Sequence, residues 1–269
     1  MKDLKDILFK VSIEEIVGSA DVVVNAVHFD SRKVSKNDLF VAQKGVTVDG
    51  HLFISKAIKL GAKVVVCESF PEDLDKSVTY VRVADSNVAL AIISSNYFNN
   101  PSSKLKLIGV TGTNGKTTIA TLLYQLFKNA GFKVGLLSTV KILVNDKEYK
   151  TSHTTPDSIT INSYLNQMID AGVEYCFMEV SSHGIHQKRT HGLHFEGGIF
   201  TNLSHDHLDY HTSFAEYRDV KKAFFDTLPK SAFALTNIDD KNGSVMLQNT
   251  KASKKTYALK TLADYKGKV

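Results

Sequence analysis

Gly109-Val110-Thr111-Gly112-Thr113-Asn114-Gly115-Lys116-Thr117-Thr118 joins an apolar run, Lys104–Val110, to an amphipathic segment, Thr117–Ala130. The run reads as a strand and the segment as a helix, with Gly131 as its C-terminal cap. A glycine loop between strand and helix suits phosphate. Its glycines let backbone N–H groups converge on phosphate oxygens, and the helix N-terminus adds the positive end of its dipole. Lys116 can reach outer phosphates, and Thr117 can bind Mg²⁺ through its hydroxyl. The literal pattern has glycine at position 110, where Val110 stands; Gly112 supplies the freedom instead. The expected phosphate-binding residues are Gly112, Thr113, Asn114, Gly115, Lys116, Thr117 and Thr118.

Outward from this junction, strand-like and helix-like segments alternate, which predicts an α/β fold with a mostly parallel sheet flanked by helices. Upstream, Asp21–Phe29, Leu39–Val41, Ala62–Cys67 and Tyr80–Val83 read as strands, and Phe53–Leu60 and Asn87–Tyr97 as helices. Downstream, Val134–Ser138, Tyr175–Val180, Gly198–Leu203 and Phe233–Asn237 read as strands, with helices over Ile159–Ala171 and Phe214–Thr227. The polar breaker Asn99-Asn100-Pro101-Ser102-Ser103 is the natural linker. It predicts a small α/β domain over 1–98 and a phosphate-loop domain over 99–269.

The 269 residues are 43% hydrophobic and 23% charged, ordinary values for a globular chain. The net charge of +5 sits in 250–269, where six lysines face Asp264 alone. The rest is neutral overall, so no nucleic-acid-binding face is expected. There is no apolar run long enough to span a membrane, and Met1–Ser12 lacks the apolar centre of a signal peptide. Cys67 and Cys176 each lie in an apolar run, which suits buried thiols in a reducing cytoplasm.

Eight of the ten histidines lie between His153 and His211. Ser204-His205-Asp206-His207-Leu208-Asp209-Tyr210-His211 approaches the His-x-His-x-Asp-His ligand run of two-metal hydrolases, but Tyr210 puts the last histidine out of place by one. Glu179 lies near the C-terminal end of an apolar strand, at the edge where open α/β sheets hold ligands, and there it can hold Mg²⁺ beside Thr117. In Glu216–Phe225, Tyr217, Val220 and Phe224 share a helix face. From spacing alone, Lys221 and Lys222 read as surface lysines.

Thr111–Thr118 resembles the loop of the Mur ligase family, ATP-dependent amide-forming enzymes of peptidoglycan assembly; folylpolyglutamate synthetases share a related loop. The likeness extends to Thr154-Thr155-Pro156, to Glu179-Val180-Ser181-Ser182-His183-Gly184 with Gln187 and Arg189, to His205–Asp209, and to the helix bearing Lys221. Upstream it takes in His28–Val34, Asp38–Ala42, Gly45, Asp49-Gly50-His51 and Gly61-Ala62. These favour the member that adds the third amino acid, diaminopimelate or lysine, to UDP-N-acetylmuramoyl-L-Ala-D-Glu through an acyl phosphate. The alternatives are another Mur ligase and a nucleotide-binding module that makes no bond.

The resemblance implies ATP and Mg²⁺ as cofactors, and a UDP-N-acetylmuramoyl dipeptide and an amino acid as partners, for a cytoplasmic monomer. It implies a catalytic set of Lys116, His207 and Lys221, and a metal set of Thr117, Glu179, His207 and Lys221. Lys221 enters as a carbamate, because CO₂ on its neutral amine turns a cation into an anion with two oxygens. Uridine contacts fall on Phe29, Ser31, Val46, Thr47 and Val48. Thr154, Thr155, Ser181, Gln187 and Arg189 hold the sugar diphosphate and the peptide. Family members also carry a C-terminal amino-acid-binding domain. Nothing in this sequence matches it, so the sequence predicts nucleotide binding without ligation for this chain.

Overall fold

The computed structural model describes residues 1–45, 48–151, 153–206 and 210–268. The chain forms two compact units, Met1–Asn100 and Pro101–Val269. Among the described residues, no helix is long and apolar enough to cross a membrane.

The first unit runs β1 (Lys2–Asp3), α1 (Leu4–Ile7), β2 (Ile13–Val17), β3 (Val23–Val24), β4 (Val27–His28), β5 (Asp38–Val41), α2 (Ile54–Lys59), β6 (Ala62–Cys67), β7 (Thr79–Val83) and α3 (Ser86–Tyr97). Its five-stranded sheet has the order β2-β7-β6-β5-β4, parallel except for β2 on β7. β1 and β3 form a separate antiparallel pair. The single strand expected over Asp21–Phe29 is two short strands, β3 and β4, in different sheets. Between them the carbonyl of Ala26 turns to accept the N–H of Leu39. β6 is a β-branched run buried on both faces, as a central parallel strand requires.

The second unit runs β8 (Lys106–Thr111), α4 (Lys116–Asn129), β9 (Val134–Leu137), β10 (Ile142–Val144), β11 (Lys147–Tyr149), α5 (Ser158–Asp170), β12 (Tyr175–Glu179), α6 (Ser182–His186), β13 (Gly197–Phe200), α7 (Phe214–Asp226), β14 (Phe233–Asn237), α8 (Gly243–Met246), β15 (Ser253–Ala258) and β16 (Tyr265–Lys266). One nine-stranded sheet has the order β11-β10-β9-β12-β8-β13-β14-β15-β16. It is parallel from β9 to β16, with the β10–β11 hairpin antiparallel at one edge.

Side chains alternate across this sheet, as strand geometry dictates. Ile108, Val110 and Phe177 pack with Ala120 and Tyr124 of α4. Leu107, Cys176 and Met178 pack with Ile161 and Leu165 of α5 and with Tyr217 and Phe224 of α7. Helices α5 and α7 start on side-chain caps: Asp157 Oδ1 accepts from Thr160 N (2.9 Å) and Ser213 Oγ from Glu216 N (3.1 Å). Gly131, with φ +93°, follows the last turn of α4.

The strand order places the site. From β8 the chain crosses to β9, on the far side of β12; from β13 it runs the opposite way, to β14. Neighbouring strands whose connections part in this way leave a crevice at their C-terminal ends. Gly112 and Thr201 open into it.

Candidate functional site

The loop between β8 and α4 is held from the β13 side. Thr113 N donates to Asn202 O (2.8 Å) and Asn114 N to Asn202 Oδ1 (3.0 Å). Thr201 Oγ1 donates to Asn114 O (2.6 Å). Gly112, with φ +151°, lies so close that a Cβ would strike the Thr201 hydroxyl and stand 3.0 Å from Asn202 O. Gly115, with φ +85°, sits just before the first turn of α4. Thr118 is exposed on that turn, whereas Thr113 is buried and turned inward.

Two lysines meet over Gly112. Lys116 Nζ donates to the carbonyls of Gly112 (2.9 Å) and Thr113 (2.8 Å). Lys221 Nζ donates to the same Gly112 carbonyl at 3.0 Å. Burial pulls the Lys116 amine below the usual lysine range, against the pull of Glu179 and Asp206. Lys221 is held further down, by burial first and then by the charge of Lys116, with Asp206 opposing.

Thus Lys221 is not the surface lysine that spacing implies: it is 1% exposed, on the α7 face that also buries Tyr217. Lys222 is buried too, with its ammonium paired to Asp226 one turn on (2.7 Å). Neither is legible from charge pattern, because the faces of α7 are set by what packs on it.

Glu179 is fully buried at the end of β12. Its Oε2 accepts from Thr117 Oγ1 (3.0 Å) and from Thr139 Oγ1 (3.1 Å), and its Oε1 from Thr139 N (2.8 Å). Thr139 Oγ1 also lies 3.1 Å from Thr154 Oγ1. Thr155 Oγ1 bridges the carbonyl of Glu179 and the N–H of Ser181, each at 2.9 Å. Arg189 Nη1 donates to Thr155 O (2.6 Å), and Nε and Nη2 both donate to Gln187 Oε1. Ser181 Oγ caps α6 through Gly184 N (3.1 Å). Thr154, Thr155, Ser181, Gln187 and Arg189 therefore form one connected set beside Glu179.

In the first unit, Phe29, Ser31 and Val48 line a cleft of about 500 Å³ with Asp30, Arg32, Gln43 and Lys56. Arg32 Nη2 pairs with Asp30 Oδ2 at 2.8 Å, and this hydrogen bonding holds the Asp30 carboxyl down to about 2. His51 braces the far side of the turn: its Nδ1 bonds Asp49 Oδ1 (2.6 Å) and its Nε2 accepts the N–H of Glu68 (2.8 Å). Val46, Thr47 and His207 lie outside the described residues.

The sequence reading misses four contributors. By sequence Thr201 and Asn202 fall at a strand end, Thr139 lies just past the Val134–Ser138 strand with nothing to mark it, and Tyr217 is an apolar helix position. Only Thr201-Asn202 carried a usable signal, as a polar pair leaving a buried strand at the ligand edge of the sheet. Among the described residues, no group of three or more His, Cys, Asp or Glu could hold a metal. The two-metal reading rested partly on His207 and Asp209, which lie outside them.

Residues 110–268 match the Mur ligase middle domain and 23–106 the Mur ligase family catalytic domain. The UDP-N-acetylmuramoyl-L-alanyl-D-glutamate–2,6-diaminopimelate ligase of Cytophaga hutchinsonii is 54% identical over 267 residues, covering 99% of this chain and 55% of that protein. Its counterpart from Clostridium tetani is 42% identical, over 98% of this chain and 54% of its own. A solved structure of such a diaminopimelate ligase superimposes with a TM-score of 0.82 at 26% identity, over 98% of this chain and 54% of that one. The chain spans about half the length of these relatives. The middle-domain match takes in more than half of the chain, with the phosphate loop, Glu179 and Lys221 inside it, and on that ground the chain belongs to the Mur ligase family.

Proposed function

We propose that this chain carries the UDP-sugar and ATP sites of a ligase that joins 2,6-diaminopimelate to UDP-N-acetylmuramoyl-L-alanyl-D-glutamate through an acyl phosphate, in peptidoglycan synthesis. The relatives that cover nearly the whole chain are named for that reaction. The observation that carries the reading is the Thr117–Glu179 pair beside a loop whose Gly112 leaves no room for a side chain.

The residues fit the groups this reading requires. Asn202 holds the N–H groups of Thr113 and Asn114, and close packing at Gly112 keeps the loop backbone bare, so the N–H groups at the first turn of α4 are the ones that suit phosphate oxygens. The Thr117 hydroxyl and the Glu179 carboxylate are hard oxygen donors, the kind Mg²⁺ takes. Bound there, Mg²⁺ would offset negative charge on the phosphates. Lys116 brings a cation to the loop mouth, from which it need only release two backbone carbonyls. Burial favours the neutral amine of Lys221. That amine would add to the carbon of CO₂: the N–C bond forms as one C=O π pair moves onto oxygen, and the proton leaves nitrogen for water, giving the carbamate that would join Thr117, Glu179 and His207 as a ligand.

Thr155 bonds the Glu179 carbonyl directly, Thr154 reaches the Glu179 carboxylate through Thr139, and Arg189 holds the Thr155 carbonyl, so the set suits the anionic arm of a substrate whose carboxylate must meet the phosphates. The cleft at Phe29, Ser31 and Val48, with Arg32 and Lys56 on its rim, suits a uridine nucleotide. The test is calorimetric titration of the chain with Mg²⁺–ATP and, separately, with UDP-N-acetylmuramoyl-L-Ala-D-Glu. Two independent saturable sites are expected; the absence of either overturns the assignment.

A further inference from the structure

Thr113 Oγ1 is a crossing point of three segments. It lies 3.0 Å from the Tyr217 hydroxyl, accepts the N–H of Ser204 at 3.0 Å, and stands 3.4 Å from the carbonyl of Ser204. A threonine hydroxyl has one proton and two acceptor sites. All three contacts are satisfied when Ser204 N and Tyr217 OH donate to Thr113 and the Thr113 proton turns to Ser204 O. The phosphate loop, the segment leaving β13 and helix α7 are thereby pinned through one oxygen.

The ring of Tyr217 does different work. It is fully buried, and Lys221 Nζ lies 4.7 Å from its centroid. The imidazole of His211 lies 5.2 Å from it at a tilt of 39°. Lys221 Nζ meets both the Tyr217 ring and the Gly112 carbonyl. One side chain thus bears on the loop through its hydroxyl and on the second lysine through its ring.

We infer that Tyr217 is a positioning residue for both halves of the nucleotide site: its hydroxyl fixes the phosphate loop against α7, and its ring holds the Lys221 side chain at Gly112. This rests on the nucleotide reading above. It adds a residue whose two contacts can be removed separately.

The experiment compares Tyr217→Phe and Tyr217→Leu with the unsubstituted chain. Mg²⁺–ATP affinity is read by calorimetry, and CO₂ on Lys221 by intact mass in bicarbonate buffer. Tyr217→Phe should weaken ATP binding by roughly three- to tenfold, the size of one hydrogen bond, and leave the CO₂ adduct in place. Tyr217→Leu should reduce both. A double-mutant cycle separates positioning from general loosening. Adding Thr113→Val to Tyr217→Phe should cost less than the two single losses combined, whereas independent effects would add. Equal ATP affinity in Tyr217→Phe, or full additivity in the cycle, overturns the inference while leaving the nucleotide site intact. No ATP binding by the unsubstituted chain overturns the nucleotide reading itself, and the inference with it.

Discussion

Thr117 and Glu179 meet across 3.0 Å, tying the first turn of α4 to the last residue of β12. Glu179 is fully buried and accepts two further hydrogen bonds from Thr139. Those donors stabilise a carboxylate that burial alone would penalise. Because β12 pairs with β8 in parallel register, Glu179 opposite Val110, the carboxylate comes level with the start of the phosphate loop.

Glu179→Gln keeps the shape and an acceptor oxygen but removes the charge. Mg²⁺-dependent ATP affinity should fall about tenfold or more, equivalent to ~1.4 kcal/mol. Binding measured in EDTA should change little. Parallel titrations with and without Mg²⁺ check this; an equal loss in both would assign Glu179 to the fold and not to metal.

Lys116→Ala tests the loop differently. Lys116 Nζ donates to two loop carbonyls, and its ammonium is held at a cost in desolvation that Glu179 and Asp206 oppose. The variant should melt at or slightly above the temperature of the unsubstituted chain, yet bind ATP at least about tenfold more weakly. Unchanged affinity by calorimetry would exclude Lys116 from phosphate contact.

The pH dependence follows from Lys221. Its amine is depressed in the folded state, by burial and then by Lys116. Between that lowered value and the ordinary lysine value of 10.5, the unfolded chain binds more protons than the folded one. Stability therefore rises with pH across this window, and falls as pH drops through the folded value. Lys221→Met removes the group, so it should flatten that rise and raise stability near neutrality. Urea midpoints at several pH values provide the check, and a slope unchanged by the substitution would count against it.

The central architecture is legible because buried parallel strands are written as unbroken apolar runs. The strands read at Ala62–Cys67 and Phe233–Asn237 coincide with β6 and β14, and the helix read at Phe214–Thr227 differs from α7 by one residue. What escapes reading is short or carries the wrong composition. β10 and β11 are three residues each, turned at Asn145 with φ +50°, too short for a period-two pattern. β15 contains Lys254 and Lys255, which read as a solvated run; both are exposed, and the strand they belong to is made by backbone pairing with β14.

In the site, Gly112, Lys116, Thr117 and Glu179 announce themselves by type and by place at a strand or helix end. Lys221 does not. Its burial depends on α7 lying over the loop, a tertiary fact that charge spacing cannot encode. Resemblance alone supplied it.

In the first unit, Val48 offers a test that leaves the fold untouched. It lies on the rim of the cleft and is 52% exposed. Val48→Asp should therefore change stability by no more than about 0.5 kcal/mol. It also sets a negative charge beside the place proposed for an anionic nucleotide. Titration with UDP should show weaker binding, and the weakening should shrink at high salt as the charges are screened. A variant that binds UDP as the unsubstituted chain does would move the uridine site elsewhere.

Gly112→Ala asks how much the loop depends on bare backbone. The new Cβ would collide with the Thr201 hydroxyl and stand 3.0 Å from Asn202 O and 3.1 Å from Asn202 N. Thr201 cannot simply turn away, because its Oγ1 donates to Asn114 O at 2.6 Å and so holds the loop's far side. The backbone at φ +151° is itself costly for a residue with a Cβ. Strain of about 1–3 kcal/mol is expected, read as a lower urea midpoint, with ATP binding lost as the loop shifts. Thr201→Ala in the same chain removes the colliding oxygen, so the double variant should recover part of the stability. It should not recover ATP binding, since the bond to Asn114 is gone and the strained φ remains. Full recovery of both would mean that the steric clash alone defines the loop; no stability loss in Gly112→Ala would mean that the loop is free to move from Thr201, contrary to the contacts that tie it there.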